Sequence, residues 1–288
     1  MRRAGTWALA ALGGMAASVA RAQDAAPPVR GEPHPWQLWH QAPATPVMEM
    51  MDGFHHLLLW IMVAIVVLVI ALLAFVIVRF NARRNPTPSR TSHNTLIEVV
   101  WTVVPVIILV VIAVPSFRLL YFSDRSPDAE MTIKVTGRQW YWDYEYPDQG
   151  GFTFSSIMIP PEDIKPGQRR LLEVDNHVVV PVDTNIRVLV TGGDVIHSWA
   201  VPAMGVKHDA IPGRINETWM RVERPGIYYG QCSQVCGVNH GYMPVEVEAV
   251  PKDRFAQWAA AKKQAMLDGR TAAHTEVAEH AEGRQTIE

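Results

Sequence analysis

Two stretches without a formal charge, residues 57–78 and residues 99–117, constrain this chain more than any other feature. At 1.5 Å of rise per residue, the 22 residues of the first make a helix long enough for a hydrocarbon core of ~30 Å. The second has 19 residues and contains Pro105 and Pro115, which membrane helices tolerate because neighbouring helices re-satisfy the freed backbone groups. Both are apolar on every face, unlike the one-sided stripe of a soluble surface helix. Two membrane-crossing helices are therefore expected, over residues 53–80 and 96–120.

The connecting segment, residues 81–95, fixes their direction. Arg79, Arg83, Arg84 and Arg90 lie in or beside it, and no acidic residue occurs from Arg79 to Asn94. Positive loops stay in the cytoplasm, so both ends of the hairpin face outward. The N-terminus agrees. Arg2 and Arg3 precede a small-residue apolar stretch, and Ala20-Arg21-Ala22 forms an A-x-A cleavage site, the pattern of a secretory signal peptide over residues 1–22. Residues 23–52, with their Pro, Ala and His, read as a flexible periplasmic lead-in. The expected location is a bacterial inner membrane, with whatever follows the second helix on the periplasmic side.

Residues 121–252 have the composition of a folded domain. Short runs at 131–136, 171–174, 186–190, 218–222 and 245–250 alternate with turn residues, and apolar side chains recur at every second position, as in Ile186, Val188 and Val190. That period marks strands. Asp183-Thr184-Asn185 and Arg224-Pro225-Gly226 read as turns. The expected fold is a small β-sandwich or barrel. Over residues 253–288, an Ala-rich stretch to about Leu267 reads as a helix and the polar remainder as a loose tail. A net charge of −2 with no basic stripe excludes a nucleic-acid partner from the reading.

The chemistry sits in one loop, residues 231–243 (QCSQVCGVNHGYM), where Cys232, Cys236, His240 and Met243 follow at separations of four, four and three. Two thiolates, an imidazole and a thioether form a soft donor set, suited to copper and not to magnesium or calcium. A mononuclear blue-copper site uses one Cys, two His and a weak Met; with two Cys, each sulfur can bridge two coppers. A second imidazole must then come from elsewhere, and His197 stands near the end of a strand. Gly237 and Gly241 free the loop backbone to wrap a centre. Two other readings stay open. Paired cysteines outside the cytoplasm commonly form a disulfide, which needs neither His240 nor Met243. Zinc can take Cys, Cys, His and His, but leaves Met243 without a role.

Four segments, residues 137–146 (GRQWYWDYEY), 171–176 (LLEVDN), 194–214 (DVIHSWAVPAMGVKHDAIPGR) and 225–243, give the chain a marked family likeness. Together with the hairpin, over roughly residues 48–250, the chain resembles subunit II of heme–copper cytochrome c oxidases. The resemblance implies a transmembrane hairpin followed by an all-β cupredoxin-like barrel carrying the binuclear copper centre CuA. It implies that Cys232 and Cys236 bridge two copper ions. His197 and Met243 complete one copper, and His240 and the backbone carbonyl of Gln234 complete the other. The family pattern has Glu where this chain has Gln234. Ligation by the carbonyl is unaffected, whereas a magnesium shared with subunit I through that side chain loses its carboxylate.

The implied role is to take electrons from cytochrome c and pass them to the heme of subunit I, where oxygen is reduced with proton translocation. Subunit I, subunit III, cytochrome c and the lipid membrane are the implied partners. Trp140 matches the tryptophan at which electrons arrive, and Glu98, at the start of the second helix, matches a carboxylate at the mouth of a proton path. Without the resemblance, Trp140 reads as one of an aromatic cluster and Glu98 as a headgroup-level carboxylate beside a helix N-terminus. Glu145 and Asp148 follow the Trp140 cluster and Asp194 precedes His197 by three residues. These three carboxylates are expected to surround the copper site and steer a basic cytochrome c. A free-standing copper carrier needs only one anchoring helix, and a copper donor needs an open, weaker site. A quinol oxidase subunit lacks the Cys pair, and a fused c-type heme requires C-x-x-C-H, which is missing from the sequence.

Overall fold

The computed structural model describes residues 28–124 and 126–285, with side chains as far as residue 269. The signal peptide expected over residues 1–22 lies outside the described residues. The chain runs through strand β1 (Val29–Gly31), helices α1 (Pro46–Arg79) and α2 (Thr95–Asp124), ten further strands, and helix α3 (Lys252–Gln285).

Helix α1 starts at Pro46 rather than at residue 53, because Thr45 caps it. The Thr45 hydroxyl oxygen accepts from the Met48 N–H at 3.1 Å, and proline occupies the first helical turn, where its missing N–H costs nothing. Asn94 caps α2, its Oδ1 accepting from the Ile97 N–H, while Glu98 reaches back to accept from the Asn94 N–H at 3.2 Å. This reciprocal pair works like a capping box, with the carboxylate one residue later than in that motif. Both helices are long and apolar enough to cross a membrane, and no side chain in either apolar span is buried within the chain.

The lead-in is not free over its described part. β1 lies parallel to β10 (Gly226–Cys232). Ala44 N–H donates to Ala203 O at 2.8 Å, Glu223 N–H donates to Ala44 O at 3.1 Å, and the Thr45 hydroxyl donates to Met204 O at 2.7 Å. The Arg224 guanidinium holds Pro43 O. Proline-rich backbone is already extended, so it can lie along a sheet and exchange hydrogen bonds with it.

The outer domain is a sandwich of two sheets. One has the order β5 (Val178–Pro181), β11 (Pro244–Val250), β10, β7 (His197–Val201), β8 (Val206–Ala210), with β1 also on β10. The other has the order β4 (Phe152–Ser156), β3 (Tyr141–Tyr146), β2 (Met131–Arg138), β6 (Ile186–Gly192), β9 (Asn216–Met220). On β2, Met131, Ile133 and Val135 are buried while Thr132, Lys134 and Thr136 are half-buried, so this sheet turns one face to the core and one to water. β5 and β7 are buried at every residue. Between the sheets, Trp199 Nε1–H donates to the Tyr144 hydroxyl at 3.1 Å and the Tyr146 hydroxyl donates to Val179 O at 2.9 Å, so the polar ends of these aromatics are satisfied inside the core.

One expected strand is absent. Residues 171–174 form a turn with a single bridge between Met158 and Val174. Leu171 takes φ 68°, a left-handed conformation that no strand accommodates. The buried Glu173 carboxylate accepts from the Arg169 N–H at 2.9 Å and from the Tyr229 hydroxyl at 2.7 Å. That inward pull on an acidic side chain sets the turn. α3 docks through Phe255, Trp258, Ala259 and Met266, within the stretch expected to be helical, and helical backbone continues to Gln285.

Candidate metal centre

β10 and β11 are antiparallel, with Gln231 opposite Pro244, and the Cys-rich loop leaves and returns between them. The Cys232 N–H donates to Met243 O at 3.2 Å, closing its base. On the other side of β10, Cys232 lies opposite Trp199 of β7. Side chains alternate along a strand, so His197 points to the same side as Trp199. Ser233 N–H donates to Ser198 O at 2.9 Å, carrying the register far enough to lay His197 across the loop.

Four further donor groups gather around the two cysteine sulfurs. The Sγ atoms of Cys232 and Cys236 are 3.9 Å apart and unbonded, which removes the disulfide reading. Cys236 Sγ lies 3.6 Å from His240 Nδ1 and 3.5 Å from Met243 Sδ, and Cys232 Sγ lies 3.3 Å from Gln234 O. Ligating atoms of His197, Cys232 and Cys236 lie within 4.8 Å of one another, all three residues buried. The sulfur separation is less than twice a metal–thiolate bond of ~2.3 Å, so one ion can touch both.

His197 decides whether this is a metal site. Its Nε2 sits 2.9 Å from Asp194 Oδ1, whereas Nδ1 is buried and makes no hydrogen bond. A buried nitrogen left unpaired costs ~1–3 kcal/mol, and this one belongs to a ring within reach of two thiols. A carboxylate hydrogen-bonded to the far ring nitrogen fixes the tautomer of a metal-bound imidazole in this way. A bound soft cation satisfies the free nitrogen, and the donor set, sulfur-rich with a thioether, fits copper.

The thiols are tuned in opposite directions. Burial raises the Cys232 thiol, but the His197 imidazole and the backbone N–H groups of Gln234 and Ser198 outweigh it and hold it at about 6. Cys236 is pushed up to about 12, by burial and then by the charge on Cys232. Burial likewise works against the Asp194 carboxylate, yet His197 and the N–H groups of Gln139 and Val195 keep it below its ordinary value.

Two glycines admit this packing. A Cβ at Gly137 would lie 2.9 Å from the His197 ring. At Gly237, with φ +126°, it would lie 2.9 Å from the Trp140 ring. Gly241 has no such constraint, having nothing within 4 Å of an added Cβ, so the expectation that it frees the loop finds no support in the packing.

Residues 131–250 match the family described as cytochrome c oxidase subunit II, periplasmic domain, and residues 33–119 match the corresponding transmembrane domain. The chain belongs to the cytochrome c oxidase subunit II family. It is 55% identical over 239 residues to a probable cytochrome c oxidase subunit 2 of Rickettsia felis, covering 83% of this chain and 76% of that one. A cytochrome c oxidase subunit 2 of Zea mays is 50% identical over 232 residues, covering 78% and 89%. The crystal structure of the periplasmic domain of subunit II of cytochrome oxidase from Bradyrhizobium japonicum is 53% identical. It covers 49% of this chain and 98% of that one, with a TM-score of 0.46.

Trp140 of this subunit II is half-buried against the loop, its Nε1–H 3.3 Å from Cys236 O, and the Gln139 side-chain amide donates to the same carbonyl at 2.9 Å. Trp142 backs His197, with ring centroids 5.9 Å apart, and its Nε1–H points to Met243 O at 3.4 Å. Sequence reasoning gave Gln139, Gly137 and Trp142 no role of their own; their signal was membership of the segment 137–146 that carries the family likeness. The three expected docking carboxylates sit in different surroundings. Asp194 is at the site but committed to His197 Nε2 and the Gln139 N–H. Glu145 pairs with Lys134 at 3.1 Å, and Asp148 accepts from the Thr132 N–H. β3 leads away from Trp140, so both lie farther along the sheet from the centre than Asp194 does.

Proposed function

We propose that this chain takes electrons from cytochrome c at a two-copper centre held by His197, Cys232, Gln234 O, Cys236, His240 and Met243, and passes them to the heme of oxidase subunit I. The observation that carries it is His197, buried with Nδ1 unpaired and with a ring nitrogen within 4.8 Å of two free thiols. When bound, such a centre supplies a one-electron couple whose charge is spread over both metals and both sulfurs. Asp194 orients the His197 ring by holding Nε2. Trp142 and the closed base of the loop keep water from the ligands on the core side. Trp140 connects the surface to the Cys236 carbonyl through its Nε1–H, a route for the arriving electron. Glu98 serves the mouth of a proton path in addition to capping α2. Gln234 offers a shared magnesium an amide oxygen in place of a carboxylate, a weaker ligand.

The test is purification from detergent-solubilised membranes, with copper, heme and the paramagnetic spectrum measured on one sample. Two coppers per chain, co-purifying heme and an unpaired electron shared over two copper nuclei are expected. A four-line, single-copper spectrum overturns the reading.

A further inference from the structure

The lead-in carries a feature that the copper chemistry does not use. Residues 34–37 form a tight turn in which the Gln37 N–H donates to His34 O at 3.2 Å and the His34 N–H donates to Gln37 Oε1 at 3.1 Å. Trp36 takes φ 62° there, a conformation rare for a bulky residue, and its side chain is 97% exposed. Leu38 is 89% and Trp39 56% exposed. Three large apolar side chains within four residues form a patch, not scattered surface hydrophobics.

The height of the segment that follows this turn is set by the contacts of Trp39 and His40 with α1. Trp39 stacks on His56 with ring centroids 5.6 Å apart and planes 14° apart. His40 Nδ1 lies 3.0 Å from Asp52 Oδ1, and its ring is 4.5 Å from that of His55. His56 immediately precedes the charge-free run of α1. It is also ~15 Å along the helix from Pro46, where the chain turns back to join the outer domain. The lead-in therefore descends beside α1 to the level at which the apolar span begins, and is pinned there.

We propose that the turn is a membrane-interface anchor, with Trp36, Leu38 and Trp39 seated among the phospholipid headgroups of the outer leaflet. An indole has a large apolar body and one N–H, and both are satisfied at the boundary between headgroups and acyl chains. The imidazoles and carboxylate beside the turn suit the polar side of that layer. Pinned to α1 below and hydrogen-bonded to the outer domain above, the anchor fixes the height of the outer domain over the bilayer. The inference rests on α1 crossing the membrane with its N-terminal end outside.

The experiment uses the full chain in the assembled oxidase, in phosphatidylcholine vesicles. Trp36→p-benzoylphenylalanine and, separately, Leu38→p-benzoylphenylalanine are illuminated and the adducts identified by mass, with unilluminated samples as controls. Most of the crosslinked product at both positions is expected to carry phosphatidylcholine. Crosslinking mainly to another oxidase subunit, or no adduct above the dark control, overturns the anchor. Resistance of the same preparation to alkaline extraction reports the span itself. A retained chain without lipid adducts sinks the anchor alone, whereas an extracted chain sinks the membrane reading beneath it.

Discussion

The hairpin and the outer domain solve the same problem in opposite solvents. In α1 only Val47 and Met48 are buried, and in α2 no residue is; the outer domain buries Trp142, Trp199, Tyr144, Tyr146 and the inward residues of β2 and β6 almost completely. The outer domain gains stability by taking apolar surface out of water. The hairpin satisfies its backbone within each helix and leaves its side chains to lipid, which is as apolar as they are. Substitutions should therefore read differently in the two halves, and the metal centre should be separable from both.

The largest effect expected is at the centre. Cys232→Ser, or Cys236→Ser, should abolish the shared two-copper signal and lower copper content, while the chain stays in the membrane fraction. Serine keeps the size of the side chain and removes the soft ligand. If a Cys232→Ser chain keeps two coppers, the sulfurs are not the ligands.

Next comes the contrast between regions. Ile133→Ala, in the core of the outer domain, should cost ~2–5 kcal/mol. Val67→Ala, on the exposed surface of α1, should change stability by less than ~0.5 kcal/mol, the range of surface substitutions away from special features. Chemical-denaturation midpoints of the detergent-solubilised chain measure both. Equal costs would mean that Val67 packs against a partner as tightly as Ile133 packs in the core.

The outer domain also holds a buried acid that the hairpin lacks. Glu246 accepts from the Val174 N–H at 3.1 Å and lies 3.1 Å from His177 Nε2, with Glu173 and Glu248 nearby. Burial, then the Glu173 charge, outweigh His177 and raise the carboxyl to about 7. His177 is also raised, since Glu248, Glu246 and Glu173 overcome its burial. Both folded values exceed the unfolded ones, so the stabilisation is present at low pH and is lost as pH rises through the folded values. For Glu246 the window runs from the ordinary 4.5 to about 7, and the loss is on the order of 3 kcal/mol. Glu246→Gln should flatten the fall in stability across that window, read as the wild-type-minus-variant difference in unfolding midpoint. An unchanged slope would place the titration elsewhere.

What the sequence disclosed follows from the range of the forces involved. Charge-free runs, the arginine cluster, the period-two strands and the Cys-His-Met loop are local, and each was legible. Residues 171–174 look like a strand by composition, but Glu173 is drawn to Tyr229, 56 residues away, and no window of sequence contains that partner. The strapping of the lead-in is lost for the same reason, since its partners are Ala203, Met204 and Glu223. Asp194 sat close to His197 in sequence, yet a carboxylate orienting an imidazole and one steering a partner look identical until the hydrogen bond is seen.

Strand direction accounts for the smallest effect expected. Glu145 stands five residues beyond Trp140, and along β3 a residue advances ~3.4 Å, so the two backbone positions are separated by up to ~17 Å. A charge so placed acts on a partner centred over Trp140 only across a separation that salt screens beyond a Debye length of ~8 Å. Lys134 at 3.1 Å offsets its charge further, and Asp148 lies beyond the end of β3 with one oxygen on the Thr132 N–H. Glu145→Gln combined with Asp148→Asn should therefore slow association with cytochrome c by less than about twofold and leave its salt dependence near wild type. Asp194→Asn, which alters the partner of His197, should instead shift the copper spectrum before it touches association. Stopped-flow reduction over a salt series separates the two. A flattened salt slope in the double variant would place Glu145 and Asp148 on the docking face. An unaltered spectrum in Asp194→Asn would remove that carboxylate from the centre.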